Sequence, residues 1–292
     1  MHLAMTSILV TGANGQLGSE LRKLKEHYPF RFKFTDINEL DLTDASALNA
    51  YFEGIQIDYI VNCAGYTAVD RAEDEPDRAM MINRDVVKSL LSLCKKRGMR
   101  LIHISTDYVF PGNIPIPLKE TDPAGPALGA YALSKLEGEK VLEGDPGSII
   151  LRTSWLYSAF GNNFVKSMIA LLGQKKELGV VFDQTGSPTY AGDLAQAILD
   201  IIQKVEDGSA PFQPGIYHCA NEGVCSWYDF AIAIAELIHS ECRIIPIETK
   251  DFPTAAPRPA YSVMNKNKIK SVYNIRLPYW RDSLKRCITS LS

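Results

Sequence analysis

A short apolar run at 7–10, SILV, leads directly into the glycine-rich segment TGANGQLG at 11–18 and then into a helical pattern. Gly12, Gly15 and Gly18 give the spacing G-x-x-G-x-x-G. Glycine permits a tight turn, lets the backbone approach a pyrophosphate and allows close packing of helix on strand. The N-terminus of the following helix offers free N–H groups to an anion. A turn of this kind after the first strand predicts a dinucleotide site.

The alternation of strand and helix continues along the chain. Further apolar runs without polar alternation occur at 31–36, 58–65, 100–106, 148–153 and 179–182. Several of the segments between them carry apolar residues at helical spacing. Such strands, separated by amphipathic helices, are typical of a parallel sheet that is covered on both faces. The predicted fold class is α/β, a Rossmann-type doubly wound parallel sheet with a smaller C-terminal α/β domain.

The pattern changes after about residue 206, which indicates a second domain. Short strands are predicted at 215–220 and 243–247, flanking a helix that Ser226 opens as N-cap. A Pro-rich loop at 252–259 and a final helix follow. The predicted organisation is a dinucleotide-binding domain over 1–152, to which 179–205 returns, and a substrate-binding domain over 153–178 and 206–292.

Composition narrows the classes of partner. The 292 residues include 31 Lys and Arg against 34 Asp and Glu, without a long run of one sign, so neither nucleic acid nor a membrane surface is expected as a partner. Six cysteines occur without a C-x-x-C pair, which favours reduced thiols and a cytoplasmic location. No apolar run approaches the length of a membrane span. Translation could begin at Met5, so the native status of residues 1–4 stays open.

A second feature supports the dinucleotide site. Asp36 ends the second predicted strand, where a carboxylate can accept hydrogen bonds from both ribose hydroxyls of NAD and oppose the 2′-phosphate of NADP. The alternative is an Asp that caps a turn. We therefore expect NADH or NADPH as the cofactor, with a preference for NADH. The predicted cofactor-binding residues are Gly12, Asn14, Gly15, Gln16, Leu17, Gly18, Asp36, Asp41, Leu42, Ala64, Gly65, Tyr66, Tyr131 and Lys135.

The segment GAYALSKLEGEK at 129–140 has the pattern of a helix, with Leu133 and Leu136 expected in the core. Its Tyr131 and Lys135 lie one turn apart on one face. About one Y-x-x-x-K pair is expected by chance in a chain of this composition. The position of this pair favours a catalytic role. The pair follows the predicted strand that leads into STDYVF, and Thr106 lies at the carboxyl end of the sheet, where α/β proteins bind their ligands. The alternative is a buried Tyr beside a solvated Lys.

Together, the T-G-x-x-G-x-x-G turn, the Thr after the fourth strand and Y-x-x-x-K resemble the extended short-chain dehydrogenase/reductases. Longer strings narrow the resemblance to members that reduce the C4 keto group of dTDP-4-dehydro-L-rhamnose for bacterial surface polysaccharides. These strings are GQLGSEL, NCAGYTAVDRAEDEP, HISTDYVFPG, YALSKLEGE, RTSWLY, GNNF, DQTGSPT and RPAYS, and they span nearly the whole chain.

The resemblance implies catalytic roles for three residues. Tyr131 would donate a proton to the C4 carbonyl oxygen as hydride arrives from the nicotinamide. Lys135, together with the positive ring of the oxidised cofactor, would bring the pKa of Tyr131 from about 10 towards neutrality, and would hold the nicotinamide ribose. Thr106 would hydrogen-bond the same carbonyl oxygen.

The resemblance also implies substrate contacts from Thr106, Asp107, Trp155, Asn162, Asn163 and Arg258. Trp155 would lie against the sugar, although a core Trp is the alternative. Asn162 and Asn163 offer amides, but GNN is also a turn sequence. Arg258, in PRP, is the candidate for the substrate diphosphate, and an ordinary surface Arg is its alternative.

The resemblance does not decide whether a metal ion is bound or how many subunits assemble. Some dimeric relatives bind Mg²⁺ through carboxylates between subunits; Glu20 matches one such acid, whereas Gly192 stands where another is expected. No metal site is predicted, and Mg²⁺ is doubtful as a cofactor. A monomer or a homodimer is expected. Two other functions remain: a reductase or epimerase of another nucleotide-sugar, and a non-catalytic NADP-binding regulatory subunit.

Overall fold

The computed structural model describes residues 5–291. Residues 1–4, whose native status is open, and residue 292 lie outside the described residues, as do the outermost ends of the two predicted domains.

Regular structure alternates along the chain. The strands are β1 (Ser7–Thr11), β2 (Arg31–Thr35), β3 (Tyr59–Asn62), β4 (Arg100–Thr106), β5 (Ser148–Thr153), β6 (Leu156–Tyr157), β7 (Glu177–Val181), β8 (Thr185–Gly186), β9 (Thr189–Tyr190), β10 (Gly215–His218), β11 (Cys225–Ser226) and β12 (Arg243–Ile247). The α-helices are α1 (Gln16–Leu24), α2 (Ala45–Tyr51), α3 (Pro76–Met80), α4 (Val86–Arg97), α5 (Gly129–Leu142), α6 (Phe164–Leu172), α7 (Ala191–Glu206), α8 (Trp227–Leu237), α9 (Asn267–Tyr273) and α10 (Trp280–Thr289). A π-helix, Met81–Asp85, joins α3 to α4, and 3₁₀ turns occupy Lys25–His27, Asp107–Val109 and Thr249–Asp251.

The central sheet has six parallel strands in the order β10-β5-β4-β3-β1-β2. Alternate residues of the inner strands enter two separate cores. In β1, Ile8 and Val10 pack with α1 and α7 on one face, while Leu9 packs with α2 and α4 on the other. The predicted α/β class with a doubly wound parallel sheet is confirmed, because helices bury both faces.

Sheet membership differs from the prediction at two strands. β10, expected in the substrate-binding part, is the sixth strand of the central sheet and pairs with β5. β7, expected with the dinucleotide-binding part, instead pairs with β12 in a small separate sheet. Apolar runs of four or five residues do not specify a neighbour, because any parallel strand satisfies the same backbone hydrogen bonds. The division into two domains stays a prediction.

The helix that carries Tyr131 and Lys135 is α5, and one of its expected core residues is misassigned. Leu136 is buried, whereas Leu133 is 45% exposed. The buried face instead carries Tyr131, Lys135 and Glu139. The buried face of α5 is therefore partly polar, which the hydrophobic pattern did not predict.

The remaining elements form the C-terminal part of the molecule. Ser226 caps α8 as predicted, through a capping box with Asp229. A third core joins α6, α8 and α10 around Phe230 and Trp280. Within residues 5–291, no helix is long and apolar enough to cross a membrane.

Candidate active site

The glycine-rich turn passes from β1 into α1 and leaves no room for side chains. Gly12 has φ +63°, and an added Cβ would lie 2.6 Å from the backbone N of Ala64. A Cβ on Gly18 would lie 2.5 Å from Ala13 Cα, so this glycine allows α1 to pack against the turn. Gly15 is the N-cap of α1, and no side chain caps the helix. Free N–H groups at the start of α1 and glycines that let the backbone approach a ligand fit a dinucleotide pyrophosphate.

The other predicted cofactor residues surround this turn. Asp36 follows β2, and its Oδ2 accepts a hydrogen bond from the Asn14 backbone N–H at 2.8 Å. Its Oδ1 accepts from the backbone N–H of Ile37. The carboxylate is therefore fixed at the edge of the glycine turn, where an acid after the second strand is expected to bind a ribose.

The remaining cofactor candidates form three groups. Asp41 accepts hydrogen bonds from the backbone and side chain of Thr43, which hold the pKa of its carboxyl below the usual value. Leu42 packs on the α2–α4 side of the sheet. The residues after β3 are Ala64, Gly65 and the buried Tyr66, which packs in one cluster with Tyr131. Gln16 and Leu17 begin α1, where Leu17 is in the core.

Tyr131, Lys135 and Thr106 lie at the carboxyl end of β4. All three side chains are buried, with exposures of 9%, 5% and 7%. The Thr106 hydroxyl donates to Asp107 Oδ1 at 3.1 Å and accepts from the Tyr108 backbone N–H. The Lys135 ammonium donates to the Ile104 carbonyl at 2.6 Å. The structure therefore brings together the three residues that were predicted as catalytic.

The surroundings of Tyr131 in the protein shift its pKa. Burial raises the pKa of this phenol to about 12, outweighing the lowering effect of the nearby Thr106 hydroxyl, and Asp107 raises it further. The Lys135 ammonium donates to a backbone carbonyl. The expected lowering concerned Lys135 together with the ring of the oxidised cofactor, and it stays a prediction. A phenol with a raised pKa stays protonated at neutral pH, as a proton donor must.

Burial also shifts the neighbouring groups. It lowers the pKa of Lys135 to about 8, against the raising effect of the Glu139 carboxylate. It raises the pKa of Asp107 to about 6, against the lowering effects of the nearby Ser262 hydroxyl and of the hydrogen bond from Thr106. His103 is buried, and burial keeps its pKa well below the ordinary value.

Trp155 lies two residues beyond β5, whose last residue, Thr153, pairs with Thr106 in β4. Its backbone has φ +48°, which is unusual for a bulky residue. The indole stacks on Trp227 with ring centroids 3.6 Å apart, and Gly186 packs against the indole, where a Cβ would overlap it. The structure thus holds Trp155 rigidly between two elements of the C-terminal part, through a partner, Trp227, that the sequence did not reveal.

The two asparagines of GNNF differ in their surroundings. Asn162 is exposed. Asn163 caps α6 by accepting from the Lys166 backbone N–H, and its amide donates to Gln16 Oε1 at 3.1 Å. Its amide also donates to the Ser158 carbonyl. This loop therefore contacts the start of α1, and Asn163 has a local structural role.

Arg258 is tied to the dinucleotide-binding half. Its Nη2 lies 2.7 Å from Asp70 Oδ2, and its Nη1 donates to the Ala256 carbonyl. Asp70 also accepts from the Ala256 backbone N–H at 3.1 Å. The guanidinium lies close enough to Tyr108 to lower the pKa of that phenol, which burial raises. Arg258 thus lies near the catalytic cluster and is paired with an acid that sequence analysis did not identify.

Within residues 5–291, no group of three or more His, Cys, Asp or Glu side chains could hold a metal ion. Glu20 is buried and accepts a hydrogen bond from Ser158. At Gly192, an added Cβ would overlap the Tyr190 ring.

The sheet order, the glycine turn and the Thr–Tyr–Lys cluster define an extended short-chain dehydrogenase/reductase. The sequence profile of the RmlD substrate binding domain matches residues 5–292. A dTDP-4-dehydrorhamnose reductase from Aggregatibacter actinomycetemcomitans is 40% identical, over 96% of this chain and 98% of its own. The spore coat polysaccharide biosynthesis protein SpsK from Bacillus subtilis is 39% identical over 99% of both chains.

A solved structure agrees with these sequence relatives. The dTDP-4-dehydrorhamnose reductase from Bacillus anthracis, in complex with NADP, is 36% identical and superposes with a TM-score of 0.90 over 98% of this chain and 99% of its own. The chain belongs to the dTDP-4-dehydrorhamnose reductase family, RmlD, and is an NAD(P)H-dependent oxidoreductase.

Proposed function

We propose that this protein reduces the C4 keto group of dTDP-4-dehydro-L-rhamnose to dTDP-L-rhamnose with NADPH or NADH, for the synthesis of a surface polysaccharide. The observation that carries the proposal is the buried Tyr131 phenol beside Thr106, at the carboxyl end of a central parallel strand. Family membership supplies the substrate class, and the position of the cluster in the sheet fits a ligand at this edge.

The proposed chemistry divides between cofactor and protein. The bound reduced nicotinamide supplies hydride to C4. Tyr131 gives its hydroxyl proton to the C4 oxygen, and Thr106 hydrogen-bonds that oxygen and orients it. The Lys135 ammonium stabilises the phenolate that Tyr131 becomes and holds the nicotinamide ribose. The turn at Gly12 and the N-terminus of α1 receive the pyrophosphate.

The proposed substrate site extends from this cluster. Asp107 and Trp155 contact the sugar, Asn162 and Asn163 supply amides at its edge, and Arg258 binds the diphosphate. The fixed indole of Trp155 supports a role in orienting a sugar ring, because a rigid aromatic surface loses little entropy on binding. We further propose that the protein acts as a monomer or homodimer without metal.

The direct test is to incubate the pure protein with dTDP-4-dehydro-L-rhamnose and either NADPH or NADH, following the absorbance of the reduced nicotinamide. Oxidation that depends on the sugar, with dTDP-L-rhamnose as the product, is the expected result. Oxidation only with another nucleotide 4-ketosugar would favour the alternative reductase. No oxidation despite cofactor binding would favour a regulatory subunit.

Cofactor preference depends on Asp36. Replacing Asp36 by Ser removes the charge that opposes a 2′-phosphate, so the ratio of kcat/KM for NADPH to that for NADH should rise about tenfold. The control is Glu39→Gln. Glu39 accepts a hydrogen bond from the Asp36 backbone N–H, so this substitution removes a nearby negative charge without changing the Asp36 side chain. Equal changes in both variants would show that general charge, and not the Asp36 carboxylate, sets the preference.

Arg258 should affect substrate binding more than the chemical step. We expect Arg258→Met to raise KM for the nucleotide-sugar about tenfold or more with kcat little changed, because a charged hydrogen bond contributes about 1.5–3 kcal/mol. Asp70→Asn is the matched variant: it breaks the ion pair but keeps the guanidinium, so KM should not rise. A similar rise in both variants would mean that Arg258 acts by holding its loop.

A further inference from the structure

A buried ion pair lies next to the catalytic cluster, and the proposed chemistry gives it no role. Glu139 and Arg152 have side-chain exposures of 3% and 2%. The pairing is bidentate, with Nε–Oε1 at 2.9 Å and Nη2–Oε2 at 2.6 Å. The Ser105 hydroxyl also donates to Glu139 Oε1, and the guanidinium lies 4.8 Å from the centre of the Phe110 ring. The carboxylate is therefore locked in place.

Helical spacing puts this carboxylate in line with the catalytic pair. Tyr131, Lys135 and Glu139 follow one another at intervals of four residues on the buried face of α5. Lys135 donates to the carbonyl of Ile104, and the next residue, Ser105, donates to Glu139. One stretch of β4 thus holds both the ammonium and the carboxylate against the helix.

The charges of this cluster depend on one another. A buried ammonium is disfavoured unless an opposite charge lies near it. Glu139 opposes the effect of burial on Lys135, whose pKa nevertheless falls to about 8. Arg152 faces Glu139 from β5, and a guanidinium remains charged. The cluster therefore contains two cations and one anion, and Glu139 is the anion between them.

The other titratable groups around Lys135 do not replace this carboxylate. His103, on β4, and His218, on β10, are kept neutral by burial, with the pKa of His218 at about 3. Asp107, at the end of β4, acts on Tyr131 by raising its pKa. Among the described residues that affect the pKa of Lys135, Glu139 is the one that raises it.

We propose that Glu139 is a positioning residue for the reductase reaction, a role that rests on the proposed function. Its carboxylate, held by Arg152 and Ser105, keeps the buried Lys135 charged while the ammonium donates to the Ile104 carbonyl. Loss of that charge deprives Tyr131 of its cationic neighbour at neutral pH. The effect reaches the reaction through Lys135, without contact between Glu139 and the substrate.

The test compares three variants by their pH profiles. Glu139→Gln removes the charge with little change of shape, and Glu139→Asp keeps the charge. Removing one partner of a buried pair is strongly destabilising, so a second variant is needed in case Glu139→Gln does not fold. The double variant Glu139→Gln/Arg152→Met removes both charges, which is often tolerated, and gives a second test.

The alkaline limb of the kcat profile reports deprotonation of Lys135. Without the Glu139 charge the pKa of Lys135 falls, so we expect this limb to move down by about one pH unit in Glu139→Gln. The double variant should move it in the same direction by less, because the repulsive Arg152 is also removed. Glu139→Asp should leave it near the wild-type position. A folded Glu139→Gln or double variant with an unmoved limb overturns the proposal, even if kcat falls.

A direct titration separates this proposal from the proposed function. Protein labelled with ¹⁵N at the lysine Nζ is titrated by NMR, and the Lys135 signal is assigned from its loss in Lys135→Met. A downward shift of the Lys135 titration in Glu139→Gln or the double variant supports the role of Glu139, whether or not the wild-type protein reduces the sugar. An unchanged titration contradicts it. Failure of the sugar to be reduced contradicts only the proposed function.

Discussion

Tyr131→Phe is expected to lower kcat for 4-keto reduction about a thousandfold, while the protein folds and binds NADPH as before. The variant removes only the hydroxyl that would protonate C4, and general acid catalysis contributes about 10²–10⁴-fold. The ring should keep its packing against Tyr66 and its edge contact with Tyr108, whose centroid is 5.5 Å away. Steady-state kinetics and quenching of protein fluorescence by NADPH measure the two properties separately.

The matched control is Tyr108→Phe. It removes a phenolic hydroxyl from the adjacent ring of the same cluster, but Tyr108 has no role in the proposed proton transfer. Its kcat should stay of the same order as that of the wild type. If Tyr131→Phe turns over at the wild-type rate, the proton comes from another group and the assignment of the acid is wrong.

Gly12→Ala is expected to weaken NADPH binding at least tenfold and to lower the thermal midpoint. The new Cβ would lie 2.6 Å from Ala64 N and 2.8 Å from the Cys63 carbonyl carbon, both backbone atoms that cannot rotate away. The positive φ adds a further cost of about 1–2 kcal/mol for a side chain. Tenfold weaker binding corresponds to about 1.4 kcal/mol. Isothermal titration with NADPH and thermal unfolding measure the two effects.

Gly54→Ala separates these two costs. Gly54 also has a positive φ, +71°, but no atom lies within 4 Å of the position of its Cβ. This variant should lose stability through the backbone cost alone and should bind NADPH normally. If it weakens NADPH binding as much as Gly12→Ala does, the effect arises from general destabilisation and not from the shape of the turn.

Several parts of the fold could be predicted because their causes are local. Gly12 is required because the chain turns there with a positive φ and lies against the backbone that follows β3. The pattern of strand, glycine-rich turn and helix makes this requirement visible in the sequence. The Ser226 cap of α8 depends on residues three positions apart. The parallel character of the central sheet follows from strands that are apolar on both faces.

Other parts depend on which distant segments meet. No sequence pattern indicates the neighbours of β7 and β10, because backbone pairing does not discriminate between short apolar strands. Leu133 was expected in the core, but α5 buries its polar face, because Ser105 and Arg152 supply partners there. The ion pair of Arg258 with Asp70 joins residues 188 positions apart, and no local pattern indicates it.

Two missed residues left a signal in the sequence. Glu139 continues the four-residue spacing of Tyr131 and Lys135, which puts it on the same face of the helix. Arg152 is a charged residue inside an apolar strand, and such a residue requires a buried partner. Neither signal identifies the partner, since pairing across the fold requires the positions of both elements.

The sequence by itself determined the class of fold, the glycine turn and the Tyr131–Lys135 pair, because each depends on backbone geometry or on spacing within one element. Only the tertiary structure decided the electrostatic state of that pair. Burial raises the pKa of Tyr131 and lowers that of Lys135, and Glu139 opposes the effect on the lysine. The cost of burying a charge depends on every group packed around it, and those groups come from strands far apart in the chain.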